Sequence, residues 1–150
     1  MPDYDEQDLA QALAVLEAEP SPARLAERLG IDWEYLVWLA LGLSDEMLDD
    51  PDLVGRGAEA FTAGFLVGVH LPEPHGDLGK KLAFAVDHVQ RRGRHAIIAD
   101  HCDLSAVASF EQAYAGALVE ALEVGEERRE AVTRLFESGL ATGLVLGALS

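Results

Sequence analysis

Apolar residues recur at intervals of three and four along almost the whole chain. Nowhere do apolar and polar positions alternate in the two-residue rhythm of a half-buried strand. The pattern predicts about seven helices, over approximately 5–18, 22–29, 32–43, 52–70, 77–92, a short piece at 94–101, and 104–149 broken near Gly125. Ser21 before Pro22 reads as an N-cap with proline in the first helical position, and Asp103 or Ser105 can cap the helix that follows. Pro51, Pro72 and Pro74 mark the main stops.

Two stretches, AFTAGFLVGVHL (60–71) and LFESGLATGLVLGAL (135–149), are apolar nearly all round and predict the buried central helices. At an offset of 75 residues Phe61 meets Phe136, Gly64 meets Gly139 and Gly68 meets Gly143, and Gly147 extends the second series, a hint of internal duplication. A glycine inside a helix costs about 1 kcal/mol relative to alanine. Five of them therefore need a compensating gain. A spacing of four places each set on one helix face, where a missing side chain lets another backbone come close. Packing of these two helices against each other is the expected use, and a seam between two subunits is the alternative.

The length of 150 residues suits one domain spanning 1–150, with a helical core over 52–149. Against 27 acidic residues stand 11 basic ones, only Lys80 and Lys81 among them lysines, for a net charge of −16. A hydrophobic content of 49% separates this chain from disordered acidic sequences. The composition resembles that of halophilic archaeal proteins, whose carboxylate-rich surfaces stay solvated while concentrated salt screens their self-repulsion. On that resemblance the acidity reflects habitat rather than partner.

The opening MPDYDEQDLAQ is acidic rather than a signal segment, and no apolar run reaches the 18 or so residues of a membrane span. A single cysteine, Cys102, excludes an internal disulfide and a multi-thiolate metal site. These features predict a cytoplasmic protein with no membrane partner.

Residues 22–40 contain Leu25, Ala26, Leu29, Gly30, Ile31, Leu36 and Leu39 at the positions where two short helices meet across a tight glycine turn. The stretch resembles the helix-turn-helix superfamily. That resemblance implies an N-terminal helical pair and, as an alternative function, a DNA-binding transcriptional regulator. DNA-reading members expose cationic and amide side chains on the second helix. Here the corresponding positions hold Asp32, Trp33, Glu34, Val37 and Trp38, and the carboxylates oppose binding to phosphate. Trp33, Tyr35 and Trp38 are therefore expected to pack against neighbouring helices or a partner.

Five of the 11 cations fall in KKLAFAVDHVQRRGR (80–94), where only Asp87 opposes them. On a helical wheel Leu82, Val86 and Val89 share one face, while Lys81, Phe84, His88, Arg91 and Arg92 lie opposite. Arg94 belongs to the same cluster, and His95 joins it if the helix continues past Gly93. This is the candidate surface for an anion or acidic partner, with the guanidinium groups as forks for carboxylate or phosphate.

The histidines at 70, 75, 88, 95 and 101 lack the three- or four-residue spacing of a helical zinc pair. His95, His101, Cys102 and Asp103 can serve metal only by converging across a loop, the basis of a third reading as a metal-dependent enzyme. No phosphate-binding glycine loop or calcium-binding loop is present. The sequence thus predicts an all-α, single-domain bundle of about six to seven helices. The expected role is that of a non-enzymatic interaction or regulatory protein with no cofactor, partnered by a protein or a second copy of itself, with nucleic acid as the alternative. The packing or interface residues are Trp33, Trp38, Gly64, Gly68, Gly139, Gly143 and Gly147.

Overall fold

The computed structural model describes residues 3–74, 76–123 and 125–149. Its helices are α1 Glu6–Ala18, α2 Pro22–Arg28, α3 Trp33–Leu48, α4 Val54–His70, α5 Leu82–Arg92, α6 Arg94–His101, α7 Leu104–Phe110, α8 Gly116–Ala121 and α9 Glu126–Ala148. A wide π-helical turn at Glu111–Ala115 joins α7 to α8, and no strand occurs among the described residues. The all-α single-domain architecture read from the sequence is present.

Helices α4 and α9 lie side by side and parallel at the centre. A side chain at Gly139 would meet the Phe61 carbonyl oxygen, one at Gly143 that of Phe65, and one at Gly147 that of Val69. In the other direction, Gly64 faces the Phe136 carbonyl and Gly68 that of Leu140. The glycine α-hydrogens are thus aimed at opposing carbonyls, the arrangement of weak Cα–H···O contacts. Each helix sits in the other's glycine notches, so the seam is intramolecular. Around it Phe61, Phe65, Phe136, Leu140 and Leu144 are fully buried. At roughly 1.5–3 kcal/mol for each such side chain, two or three offset the helix-propensity cost of the glycines.

This reciprocity extends over the chain. Leu9, Ala12, Leu13 and Leu16 of α1 and Leu82, Ala85, Val86 and Val89 of α5 correspond at an offset of 73, each set facing the core. Ile31-Asp32 before α3 corresponds to Cys102-Asp103 before α7. Ile31 and Cys102 are buried, and the two aspartates cap their helices alike, accepting from Glu34 N and from Ser105 N at 3.0 Å. The halves α1–α4 and α5–α9 thus repeat these features, with α7, the π turn and α8 together in the place of α3, and they clasp each other. Tyr4, ahead of α1, donates its N–H to the His101 carbonyl and accepts from Asp103 N at the α6–α7 turn. Leu78, ahead of α5, donates to the Leu29 carbonyl at the α2–α3 turn. Gly30 turns that corner at φ +70°, and Gly79 lies against its carbonyl with no room for a side chain.

Several boundaries differ from the sequence reading. The third helix runs on to Leu48 rather than ending near 43, because Ser44 is buried with its hydroxyl on the Val54 carbonyl at 2.8 Å instead of marking an end. The fifth begins at Leu82 rather than 77, because the residues ahead of it are held by the α2–α3 turn. The weak piece at 94–101 is a genuine helix, and the long segment after 104 divides at the π turn and again before Glu126.

Replacing Gly68 or Gly143 by Ala is expected to destabilise the fold by about 1–3 kcal/mol, since the new methyl meets backbone that cannot yield. Gly42 in α3 has open space around it, and Gly42→Ala is expected to stabilise by about 0.5–1 kcal/mol. Chemical unfolding of the variants measures both signs.

Candidate functional site

The cationic cluster divides at Gly93. That residue takes φ +93°, α5 ends, and α6 starts in a new direction. On α5, Phe84 is 57% exposed and its ring stacks on His88 with centroids 5.9 Å apart. Arg91 pairs with Asp87 one turn back, Nε to Oδ2 at 3.0 Å, and Arg92 reaches Asp100 of α6 with Nε to Oδ2 at 2.9 Å. The Lys81 ammonium donates to the Leu149 carbonyl at 2.7 Å, at the end of α9. Phe84, His88, Arg91 and Arg92 therefore share one helix, with Lys81 in the turn just ahead of it, and the outward face is aromatic in the middle and basic at its ends.

Arg94 and His95 belong elsewhere. As the helix does not continue through Gly93, Arg94 turns inward to Glu137 of α9, Nε to Oε1 at 3.4 Å. The exposed His95 lines, with Arg94, Arg129 and Arg134, a groove of about 680 Å³ between α6 and the start of α9.

At the foot of that region lies a constellation the sequence reading missed. Glu111 opens the π turn and is hydrogen-bonded to Glu137, and its Oε1 is buried with no hydrogen-bond partner. Burial, then the Glu137 charge and that hydrogen bond, push the Glu111 carboxyl up to about 7, with Arg94 acting in the opposite sense. Protonated, Glu111 adds no charge beside Glu137 and Arg94, and loss of its proton adds a negative charge in a partly desolvated place. In the first half of the chain the matching positions are Ala40 and Thr62, and α3 there runs without a π turn. The acid pair and the widened turn are thus additions to one copy of the plan, a combination found often at functional sites. The one signal in sequence was Glu137, the single charge within the apolar stretch 135–149.

In the helical pair formed by α2 and α3, Leu25, Ala26, Leu29, Ile31 and Leu36 are buried together, as expected. Trp33 turns inward and lines an apolar cleft of about 470 Å³ with Leu13, Leu66, Tyr114 and Leu118. Trp38 points outward, 67% exposed, stacked on Tyr35 with centroids 6.0 Å apart. His95 and His101 stand at opposite ends of α6, about 9 Å apart along its axis. Cys102 is buried beyond it, its thiol pushed up to about 12 by desolvation and then by the charges of Asp3 and Asp8. Among the described residues no three His, Cys, Asp or Glu side chains come together as a metal site, and His75 lies outside them. No helix among them is long and apolar enough to cross a membrane. No protein family, no curated protein and no solved structure matches the chain.

The acid pair makes stability depend on pH near neutrality. A carboxyl raised from 4.5 to about 7 binds its proton more tightly in the folded chain, so its contribution is fully present below 4.5 and is lost as the pH rises through 7. Raising the pH from about 6 to about 8 is expected to lower the Tm, and Glu111→Gln to flatten that slope. Thermal unfolding of both proteins at several pH values checks it, and an equal slope in the variant contradicts the assignment.

Proposed function

We propose that this chain is a non-catalytic helical interaction protein of a salt-rich cytoplasm that docks an acidic partner on the outward face of α5. The observation that carries this reading is Phe84, exposed and stacked on His88, framed by Lys81, Arg91 and Arg92 in a chain of net charge −16. Aromatic and arginine side chains supply most of the energy at protein interfaces. The internal partners of the two arginines do not compete strongly. The Arg91–Asp87 and Arg92–Asp100 pairs are about half exposed or more, and pairs of that kind contribute about 0–1 kcal/mol. An incoming carboxylate can replace Asp87 or Asp100 at little cost. A bundle with two clasped halves and a rigid glycine seam is a suitable platform, since it presents α5 without rearrangement.

The helix-turn-helix reading has less support. α3 carries no lysine or arginine, and Glu34, Tyr35 and Trp38 occupy its exposed side. Fluorescence titration with a poly-glutamate peptide and with random-sequence duplex DNA separates the two. Arg91→Glu with Arg92→Glu is expected to weaken peptide binding by about tenfold or more. Duplex binding that survives this double reversal but is lost on changing Trp38 would replace the proposal with DNA recognition.

A further inference from the structure

The cleft that Trp33 lines has a counterpart in the second half of the chain. The first, of about 470 Å³, is walled by α1, α2, α3, α4 and the turn from α7 into α8. In the second, of about 440 Å³, Val86, Val89 and Gln90 of α5 take the places of Leu13, Leu16 and Glu17 at the offset of 73. Leu43 and Met47 of α3 take those of Tyr114 and Leu118 at the offset of 71. A recess in this place therefore belongs to the repeated fold.

Its chemistry does not. The second cleft holds one carboxylate, Glu46, and one guanidinium, Arg94. The first holds two carboxylates, Glu17 and Glu59, whose counterparts are Gln90 and Arg134, and among the described residues no lysine or arginine lines it. Its aromatic residues Trp33 and Tyr114 stand where the other half has Leu104 and Leu43. Leu13, Leu16, Trp33, Ala63, Tyr114 and Leu118 all pack on the core and are yet only partly buried, each of them at this one opening. Glu17 and Glu59 are exposed, and neither is in an ion pair among the described residues. Burial and then the charge of Glu17 push the Tyr114 hydroxyl above its usual value, so that carboxylate lies within electrostatic reach of a phenol that stays neutral.

We propose that this cleft binds a small organic ammonium ion with an apolar body. Ligand pockets commonly have about 300–1,000 Å³ and mostly apolar walls with a few placed polar groups, and this cleft has both features. The apolar body completes the burial of the six partly buried side chains. The ammonium group sits at the rim, where it meets the carboxylates of Glu17 and Glu59, and aromatic faces such as those of Trp33 and Tyr114 attract a cation. An anion of the same shape is repelled by both carboxylates, and a neutral molecule gains the apolar contact alone. The site is separate from the docking face of α5, none of whose residues line it.

The test is isothermal titration calorimetry of the full chain with hexylammonium, hexan-1-ol and hexanoate, one apolar body with three head groups, at a single salt concentration. Emission from Trp33, followed in a Trp38→Phe background, reports whether the probe sits in the cleft. Hexylammonium is expected to bind about tenfold more tightly than the alcohol, and hexanoate more weakly than either. Glu17→Gln with Glu59→Gln, both at exposed positions, should remove most of that preference while the affinity for the alcohol changes by less than about twofold. Ala63→Phe, which fills the cleft, should weaken the amine and the alcohol alike, with circular dichroism to show that each variant is folded. The proposal is overturned if hexylammonium gives no saturable change in heat or in Trp33 emission, or if the alcohol or the carboxylate binds as tightly. A preference for the amine that survives the double glutamine exchange overturns it equally. Arg91→Glu with Arg92→Glu should leave hexylammonium binding unchanged, so the cleft and the α5 face stand or fall separately.

Discussion

The contact on which the structure depends is the direct approach of two parallel helix backbones at Gly64, Gly68, Gly139 and Gly143. Each glycine faces a carbonyl of the opposite helix, and a methyl group at any of them would occupy the place of an oxygen atom. Parallel neighbours cannot be joined by a short turn. The chain between α4 and α9 must travel back to the starting end, and it does so as α5 to α8, which cover the far side of the pair. The near side is covered by α1 to α3. The bundle is the consequence of satisfying one close helix pair twice over from a repeated plan.

Repetition also explains where the molecule departs from regularity. The halves agree in their buried positions, in their aspartate caps and in the exchange by which the segment ahead of each first helix seats on the other half's turn. They differ most between the third and fourth helices, where the offset grows from 71 at Asp32 and Asp103 to 75 at Gly64 and Gly139. The π turn that carries Glu111 lies within that interval. Glu111 and Glu137, beside Arg94, stand where the first half has Ala40 and Thr62. The surfaces diverge likewise: α3 is acidic and aromatic, while α5, the counterpart of α1, carries the cations.

Much of this was legible in the sequence. The all-helical class, the buried central helices and the use of the glycines followed from periodicity, because a helix apolar all round has no solvent face to place. The 75-residue offset was visible at three positions, but its extent was not. The remaining equivalences, Leu9 with Leu82 or Ile31 with Cys102, share burial and capping rather than residue identity. The cation cluster was legible as a count and not as a surface, since a left-handed Gly93 separates Arg94 and His95 from Arg91 and Arg92. Glu111 was hidden for a simpler reason. A glutamate in a helix is ordinarily a solvated face, and only the fold brings Glu137 and Arg94 to it from 26 and 17 residues away.

If the glycine seam holds the molecule together, its amides should open only when the whole chain unfolds. Native-state hydrogen exchange reads this residue by residue. The account predicts that amides of Phe65 to Val69 and of Leu140 to Leu144 exchange most slowly, with the free energy of global unfolding, and that those of α2, α5 and α6 exchange through smaller openings. Seam amides that exchange faster than those of α5 would show that the surrounding helices, and not the α4–α9 contact, hold the fold.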